Sequence, residues 1–182
     1  MIGYCFVEER KVLDIKMKNQ QRIKENTLES LFYNSLGLQH FAIALSETGR
    51  LLHLDVSEND IGCDNFRLLL AVFTANDHME TINLADCKID GECVAALCQI
   101  LKTTNQHLKL LKFRNSNLAE KGADAIASLI EDHKSLMDLE IFNCQITERG
   151  GNAIGNALKT NFCLEKLSIG ENILNKRDVE QI

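Results

Sequence analysis

The chain has 182 residues, 45% of them hydrophobic, which is enough for one globular domain. Its formal net charge is −6 and its pI is about 5.4, so a nucleic-acid partner is not expected. No apolar run approaches the roughly 20 residues of a membrane-spanning helix, so a membrane partner is not expected either. The seven cysteines are odd in number and lack a framework spacing, which favours free thiols in a reducing compartment such as the cytoplasm.

The first 50 residues fit a regular pattern poorly. A degenerate strand and turn is predicted at Val12, Ile15, Met17 and Gln20. The stretch SLGLQHFAIALSE (35–47) is predicted to be a helix, whose apolar positions are Leu38, Phe41, Ile43 and Leu45. We interpret residues 1–50 as an N-terminal cap with a degenerate repeat and an insertion near residues 21–33.

From residue 51 the sequence repeats itself. The template L-x-x-L-x-L-x-x-N/C-x-L occurs five times, with starts separated by 28, 29, 28 and 28 residues, at Leu51, Met79, Leu108, Leu136 and Leu164. Each of the first four copies continues with apolar pairs at the spacing of one helix face, namely Leu69/Phe73, Leu97/Leu101, Ile126/Ile130 and Ile154/Leu158. Gly122 and Gly150 recur near a helix start, where close packing against a neighbour favours the absence of a Cβ.

The ninth template position lies where the chain leaves each strand and turns inward. Its residues are Asn59, Cys87, Ser116, Cys144 and Asn172. An amide or a thiol there can hydrogen-bond loop backbone that would otherwise be buried without a partner. We therefore interpret Cys87 and Cys144 as structural, and we expect Ser116 to make the third turn looser.

This pattern resembles the leucine-rich repeat, specifically its ribonuclease-inhibitor-like subclass with a 28–29-residue period and a full helix. The resemblance implies an α/β fold, a right-handed solenoid with parallel strands on the concave face and helices on the convex face. Residues 51–182 would form five such repeats, the last one truncated. Ile182 aligns with Ile154, which indicates either a longer natural chain or a nearly bare C-terminal edge.

In the template, the variable strand positions point outward on the concave side. The central column is Asp55, Asn83, Lys112, Glu140 and Ser168, and the next two begin at Ser57 and Glu58. Lys109, Lys112 and Arg114 are predicted to form a basic spot bordered by Asp86 and Glu140. An exposed Phe142 lies beside it, which gives the composition of an interface hot spot. We predict that a partner contacts Asp55, Glu58, Asn83, Asp86, Lys112, Arg114, Glu140, Phe142, Asn143 and Glu171.

No constellation in the sequence indicates catalysis. Zinc-protease, nucleophile-elbow, CxxC and phosphate-binding patterns are missing, so no enzyme activity and no cofactor are expected. His78 and His107 occupy equivalent positions before successive strands and are predicted to stack. They lack further ligands in that column, so no metal site is predicted.

The resemblance favours a non-catalytic module that grips a folded protein through its concave face. A more specific hypothesis is a steric inhibitor of a partner enzyme, as ribonuclease inhibitors are. The concave face has an acidic rim that favours a partner with basic residues around its contact surface: Asp55, Glu58, Asp86, Glu140 and Glu171. The alternatives are an adaptor or sensor repeat domain of a larger signalling protein, as in NOD-like receptors, a bacterial effector acting in the host cytosol, and a GTPase-activating-type regulator.

Overall fold

The computed structural model describes residues 12–14, 39–40, 42–43, 45–46 and 51–174. Two predictions therefore lie outside the described residues: the insertion near residues 21–33 and the truncated final helix ending at Ile182. The same holds for most of the N-terminal cap, including Leu38 and Phe41.

The described residues build one parallel sheet with a helix after each of four strands. The strands, in spatial order, are β1 (Val12–Asp14), β2 (His53–Asp55), β3 (Thr81–Asn83), β4 (Leu110–Lys112), β5 (Asp138–Glu140) and β6 (Lys166–Ser168). The helices are α1 (Gly62–Ala75), α2 (Gly91–Thr104), α3 (Ala119–Asp132) and α4 (Glu148–Leu158). Spatial order equals chain order, so the predicted α/β solenoid, with strands on the concave face and helices on the convex face, is confirmed.

The repeat template determines the register of the sheet. Leu54 pairs with Ile82, and the pairing continues through Leu111, Leu139 and Leu167. The residues at the fourth template position of successive repeats are therefore aligned across the sheet. The apolar template side chains of the first four units are all buried, while those of the fifth are partly buried. Burying each Leu or Ile contributes about 2 kcal/mol, so the interior of the stack supplies most of the stabilisation.

At the N-terminal end the observed register differs from the predicted one. The sequence places Ile15 at the position of Leu54, whereas β1 pairs Leu13 with Leu54, a shift of two residues. The backbone of residues 39–40, 42–43 and 45–46 is helical, as predicted. Within it Leu45 is buried, but Ile43, predicted to be an apolar anchor, is about half exposed. Ala42 is buried instead.

The helices approach each other closely where small residues meet. A Cβ added to Gly150 would lie 2.6 Å from the Cβ of Ala123 and 2.9 Å from Cγ2 of Ile146. A Cβ on Gly122 would lie 3.3 Å from the Cα of Gly91 in the preceding unit. The predicted close packing at Gly122 and Gly150 is therefore present, and it sets the spacing between successive helices.

Three side chains at the ninth template position join their unit to the one before it. The Sγ atoms of Cys87 and Cys144 donate to the carbonyls of Val56 and Phe113, each at 3.1 Å. The Asn172 amide does the same to the carbonyl of Ile141, at 2.8 Å. Within the described residues the buried Ser116 hydroxyl finds no partner, because it is too short to reach the equivalent carbonyl. This missing bond is the physical basis for expecting a looser third turn.

A second row of polar residues lies where the helices end. It consists of Asn76, Asn105, His133 and Asn161, at intervals of one repeat. Asn105 donates to the carbonyl of Met79 at 3.0 Å, and Nε2–H of His133 donates to the carbonyl of Asn105 at 2.7 Å. Burial lowers the pKa of His133, because the imidazolium would lose its water in this position.

Gly150→Ala should destabilise the protein although Ala is the better helix former. In an open helix the change would stabilise by about 0.5–1 kcal/mol, whereas here the new methyl overlaps Ala123 and costs about 1–3 kcal/mol. Urea unfolding followed by circular dichroism measures the difference. Asn152→Ala, on the exposed side of the same helix, is the matched control and should be neutral or slightly stabilising. An equal gain in both variants would contradict the close packing.

Acidification should destabilise the wild type more than a His133→Asn variant. The native state holds His133 neutral, while the unfolded chain binds a proton below about pH 6.5, so unfolding is favoured as the pH falls from 7 to 5. Asn occupies the equivalent position in three other units, so the variant keeps the fold. Urea midpoints measured across this range should shift progressively in favour of the variant. His40→Asn, which replaces an exposed ring, controls for histidine loss elsewhere.

Candidate functional site

The central column of the predicted binding face forms one continuous row. Strand pairing aligns Asp55, Asn83, Lys112, Glu140 and Ser168 across the sheet. Their neighbours along each strand are buried in the first four units and partly buried beside Ser168, so these side chains point away from the helices. The Asn83 amide donates to Oδ2 of Asp55 at 3.0 Å, and Nζ of Lys112 lies 3.2 Å from Oε2 of Glu140. The row is therefore internally paired along most of its length.

The predicted basic spot is largely neutralised. Lys112 pairs with Glu140, and Nζ of Lys109 lies 3.1 Å from Oε2 of Glu80. Of the three cations named in the prediction, only Arg114 has no ion pair within the described residues. Glu140, predicted to border the basic spot, pairs with Lys112. Glu80, which precedes Lys109 by about one repeat and was not part of the prediction, pairs with that lysine.

Arg114 and Phe142 lie together at the strand ends, as predicted, but Phe142 is less exposed than expected. The Arg114 guanidinium carbon stands 5.3 Å from the centre of the Phe142 ring, which is cation–π distance. On its other side the ring packs over Gly170, where a Cβ would lie 3.1 Å from Cε2. Phe142 is thus partly buried between two neighbouring units, while Arg114 is exposed. The pair forms a fixed cationic and aromatic surface.

The third predicted column follows the strands in a tight turn. Its members adopt left-handed backbone conformations with φ between 53° and 61°: Glu58, Asp86, Asn115, Asn143 and Glu171. Asn115 donates to Oδ1 of Asp86 at 2.7 Å, and Asn143 donates to Oδ1 of Asn115 at 2.8 Å. Asn is favoured in this conformation. Glu58 and Glu171 make no ion pair in the part of the chain that the structure describes, so this edge carries an acidic charge.

One member of the second column departs from the prediction. Ser57, expected at the solvent face, is buried, and its hydroxyl donates to Oδ1 of Asp55 at 2.6 Å. Asp55 also accepts from the Ser57 amide, at 3.0 Å. The short hydroxyl folds back onto the turn, so the Asp55 carboxylate is held in place from two sides. At the strand starts, Met137 is 39% exposed and Leu110 is partly buried.

The predicted stacking of His78 on His107 is confirmed. The ring centres are 4.8 Å apart with an interplanar angle of 10°. Nδ1 of His78 also contacts the carboxylate of Asp77. The stack lies before the strands, away from the central row, and it links two successive units.

The structure brings together three side chains that the sequence reading missed. Cys63, Asp90 and Cys93 place their ligand-type atoms within 4.8 Å of one another. Burial raises the pKa of the Cys93 thiol to about 12 and also raises the pKa of Cys63, so both are neutral thiols in the metal-free protein. Asp90 accepts from the Cys93 amide, which lowers the pKa of its carboxyl. The 30-residue separation of the two cysteines concealed the cluster, and only alignment of the helix starts would have shown it.

The other described cysteines are consistent with free thiols. Cys87, Cys98 and Cys144 are buried, and burial raises the pKa of each thiol, to about 12, 12 and 11. Such thiols are poor nucleophiles, which agrees with the structural role predicted for Cys87 and Cys144. No disulfide joins any of the cysteines within the described residues.

Comparison with known sequences supports a repeat protein. A family model described as "Leucine Rich repeat" matches residues 75–98. Human NACHT, LRR and PYD domains-containing protein 3 is 30% identical over 155 residues, covering 84% of this chain and 15% of its own. The mouse protein 14 of the same series is 26% identical over 149 residues, covering 79% and 14%. Human Centrosomal protein of 78 kDa is 23% identical over 175 residues, covering 84% and 25%.

The chain spans only 11–15% of the length of its NACHT, LRR and PYD relatives. Among solved structures, Leiomodin-1 Actin-Binding Site 2 superposes with a TM-score of 0.60 at 17% identity, covering 80% of each chain, which supports the fold alone. None of the described helices has the length and hydrophobicity to cross a membrane. The 28–29-residue period is compatible with the ribonuclease-inhibitor-like subclass. Repeat template, stacked parallel strands and these similarities together identify the chain as a leucine-rich repeat protein.

Proposed function

We propose that this chain is a non-catalytic protein-binding module that grips a folded partner through its concave strand face. The observation that carries the proposal is the paired, preorganised row across the sheet, flanked by the exposed Arg114 on Phe142. Lys112 forms an ion pair with Glu140, and Asn83 donates a hydrogen bond to Asp55. These side chains therefore lose little conformational entropy when a partner binds.

The charged side chains of this face that make no ion pair indicate which kind of partner surface would fit it. Glu58, Asp86 and Glu171 line the turn edge, and Arg114 is the one cation of the predicted basic spot that has no ion pair within the described residues. A partner with a basic margin would meet the acidic edge, while an apolar or aromatic group beside a carboxylate would meet Arg114 and Phe142.

The similarities favour a particular setting for the module. Relatives named for NACHT and PYD domains as well as leucine-rich repeats contain the matched segment as a small part of a longer chain. We therefore place the chain as the adaptor or sensor repeat region of a larger cytoplasmic signalling protein, and steric inhibition of a partner enzyme is the second form of the same binding. The relatives named above come from animals, so a bacterial effector gains no support from them. Nothing described favours a GTPase-activating role.

Arg114→Glu and Phe142→Ala should each weaken the complex by ~10–30-fold, and the double variant should abolish capture of the partner. The expected loss comes from like-charge repulsion and from an emptied aromatic contact. Affinity capture from a native cell extract, with mass spectrometry of the bound proteins, measures it. Circular dichroism melts should show that the variants remain folded.

The matched control makes the same two kinds of change on other surfaces. Arg67→Glu with Phe162→Ala reverses an exposed arginine of α1 and removes a phenylalanine that is 93% exposed after α4. The control should capture the partner normally. Loss of capture by the control, with retention by the strand-face variant, would refute the concave face as the contact. Adding the purified module to the partner's own activity assay then separates inhibitor from adaptor.

A further inference from the structure

A cluster of metal-binding groups lies where α1 and α2 begin. Cys63 is the second residue of α1, Asp90 is the N-cap of α2, and Cys93 lies in the first turn of α2. Because successive units stack with a nearly constant period, these helix starts are adjacent in space. The two sulfurs and a carboxylate oxygen all lie within 4.8 Å of one another.

The geometry points to a zinc-binding site formed by Cys63, Asp90 and Cys93. Zinc is held by thiolates at about 2.3 Å and by carboxylates at about 2.0–2.2 Å in tetrahedral geometry, so its ligand atoms stand ~3.5–3.8 Å apart. The three groups need only a small rotation to reach that spacing. Three protein ligands leave the fourth position for water.

The carboxylate of Asp90 is oriented for this role by its own helix. Its Oδ1 accepts from the Cys93 amide at 3.0 Å, which fixes the side chain as the N-cap of α2. A carboxylate has two oxygens, so capping leaves Oδ2 to bind a cation. The cap thus holds a ligand beside Cys93.

The surroundings favour a soft cation bound by anions. Two thiolates and one carboxylate around Zn²⁺ carry a net charge of −1, and the amino-terminal ends of α1 and α2 stabilise negative charge. Sulfur ligands select zinc over calcium and magnesium, which require mostly oxygen ligands. Cys63 and Asp90 are partly exposed, so a cation can enter from solvent, whereas Cys93 is buried.

The bound ion would join neighbouring units, since Cys63 belongs to the unit that begins at Leu51 and the other two ligands belong to the unit that begins at Met79. It lies at the helix starts and shares no residue with the Arg114 and Phe142 surface. The site therefore stands independently of the proposed binding function.

The test titrates the reduced, metal-free 182-residue chain with Co²⁺ and then with Zn²⁺. Co²⁺ should produce thiolate-to-metal charge-transfer absorption and intense tetrahedral d–d bands at one equivalent, and Zn²⁺ should abolish both. Zn²⁺ should also raise the melting temperature by about 5–10 °C at a free concentration about 100 times Kd. Absence of these bands would overturn the proposal.

Three variants and one control assign the ligands. Cys63→Ser, Cys93→Ser and Asp90→Asn should each weaken Co²⁺ binding by at least about 10–100-fold, a loss seen even for outer partners of metal ligands. Asp90→Asn keeps a side-chain oxygen that can cap α2, so this variant is expected to fold. It tests the site even if Cys93→Ser fails to fold. Cys163→Ser removes a partly exposed thiol elsewhere and should bind normally. Bands that persist in Cys63→Ser and Asp90→Asn, or vanish in Cys163→Ser, would refute the assignment.

Discussion

Burial of each unit's apolar side chains against the next unit is the interaction on which the rest of the structure depends. Strands of only three residues could not hold a register by their own hydrogen bonds. The aligned Leu54, Ile82, Leu111 and Leu139 do so instead, because a slip of one residue would turn them toward solvent. The outward row that we propose as the binding face exists because its strand neighbours are locked inward.

Polar side chains complete this stack at both of its bends. At the strand exits a thiol or an amide donates to the preceding unit's carbonyl, which explains why Cys87, Cys144 and Asn172 can occupy the same position. At the helix exits Asn and His perform the same task. The interior is therefore apolar with a hydrogen-bonded margin on each side, except at Ser116, whose hydroxyl has no partner within the described residues.

The sequence predicted the units, their period, the buried anchors and the alignment of the outward row, because these follow from local periodicity. It predicted the stacking of His78 on His107 between units, but it missed other contacts that cross from one unit to the next. The pairing of Lys109 with Glu80, and the partial burial of Phe142 by Gly170, depend on side chains about one repeat away. The cluster around Cys63 was missed for the same reason. In the first unit irregular spacing removed the periodic guide, so the predicted register was two residues in error.

Gly170 packs against the Phe142 ring and determines how that ring is oriented, while Phe142 itself provides the contact surface. The absence of a Cβ at Gly170 leaves room for the Phe142 ring against the neighbouring strand end, with Arg114 also in contact with the ring. A larger side chain there would lift the ring toward the hollow of the arc while leaving Phe142 itself unchanged. In a stacked repeat, binding specificity can therefore change through a substitution at the position that supports an aromatic side chain. That position lies one repeat away from the residue that contacts the partner.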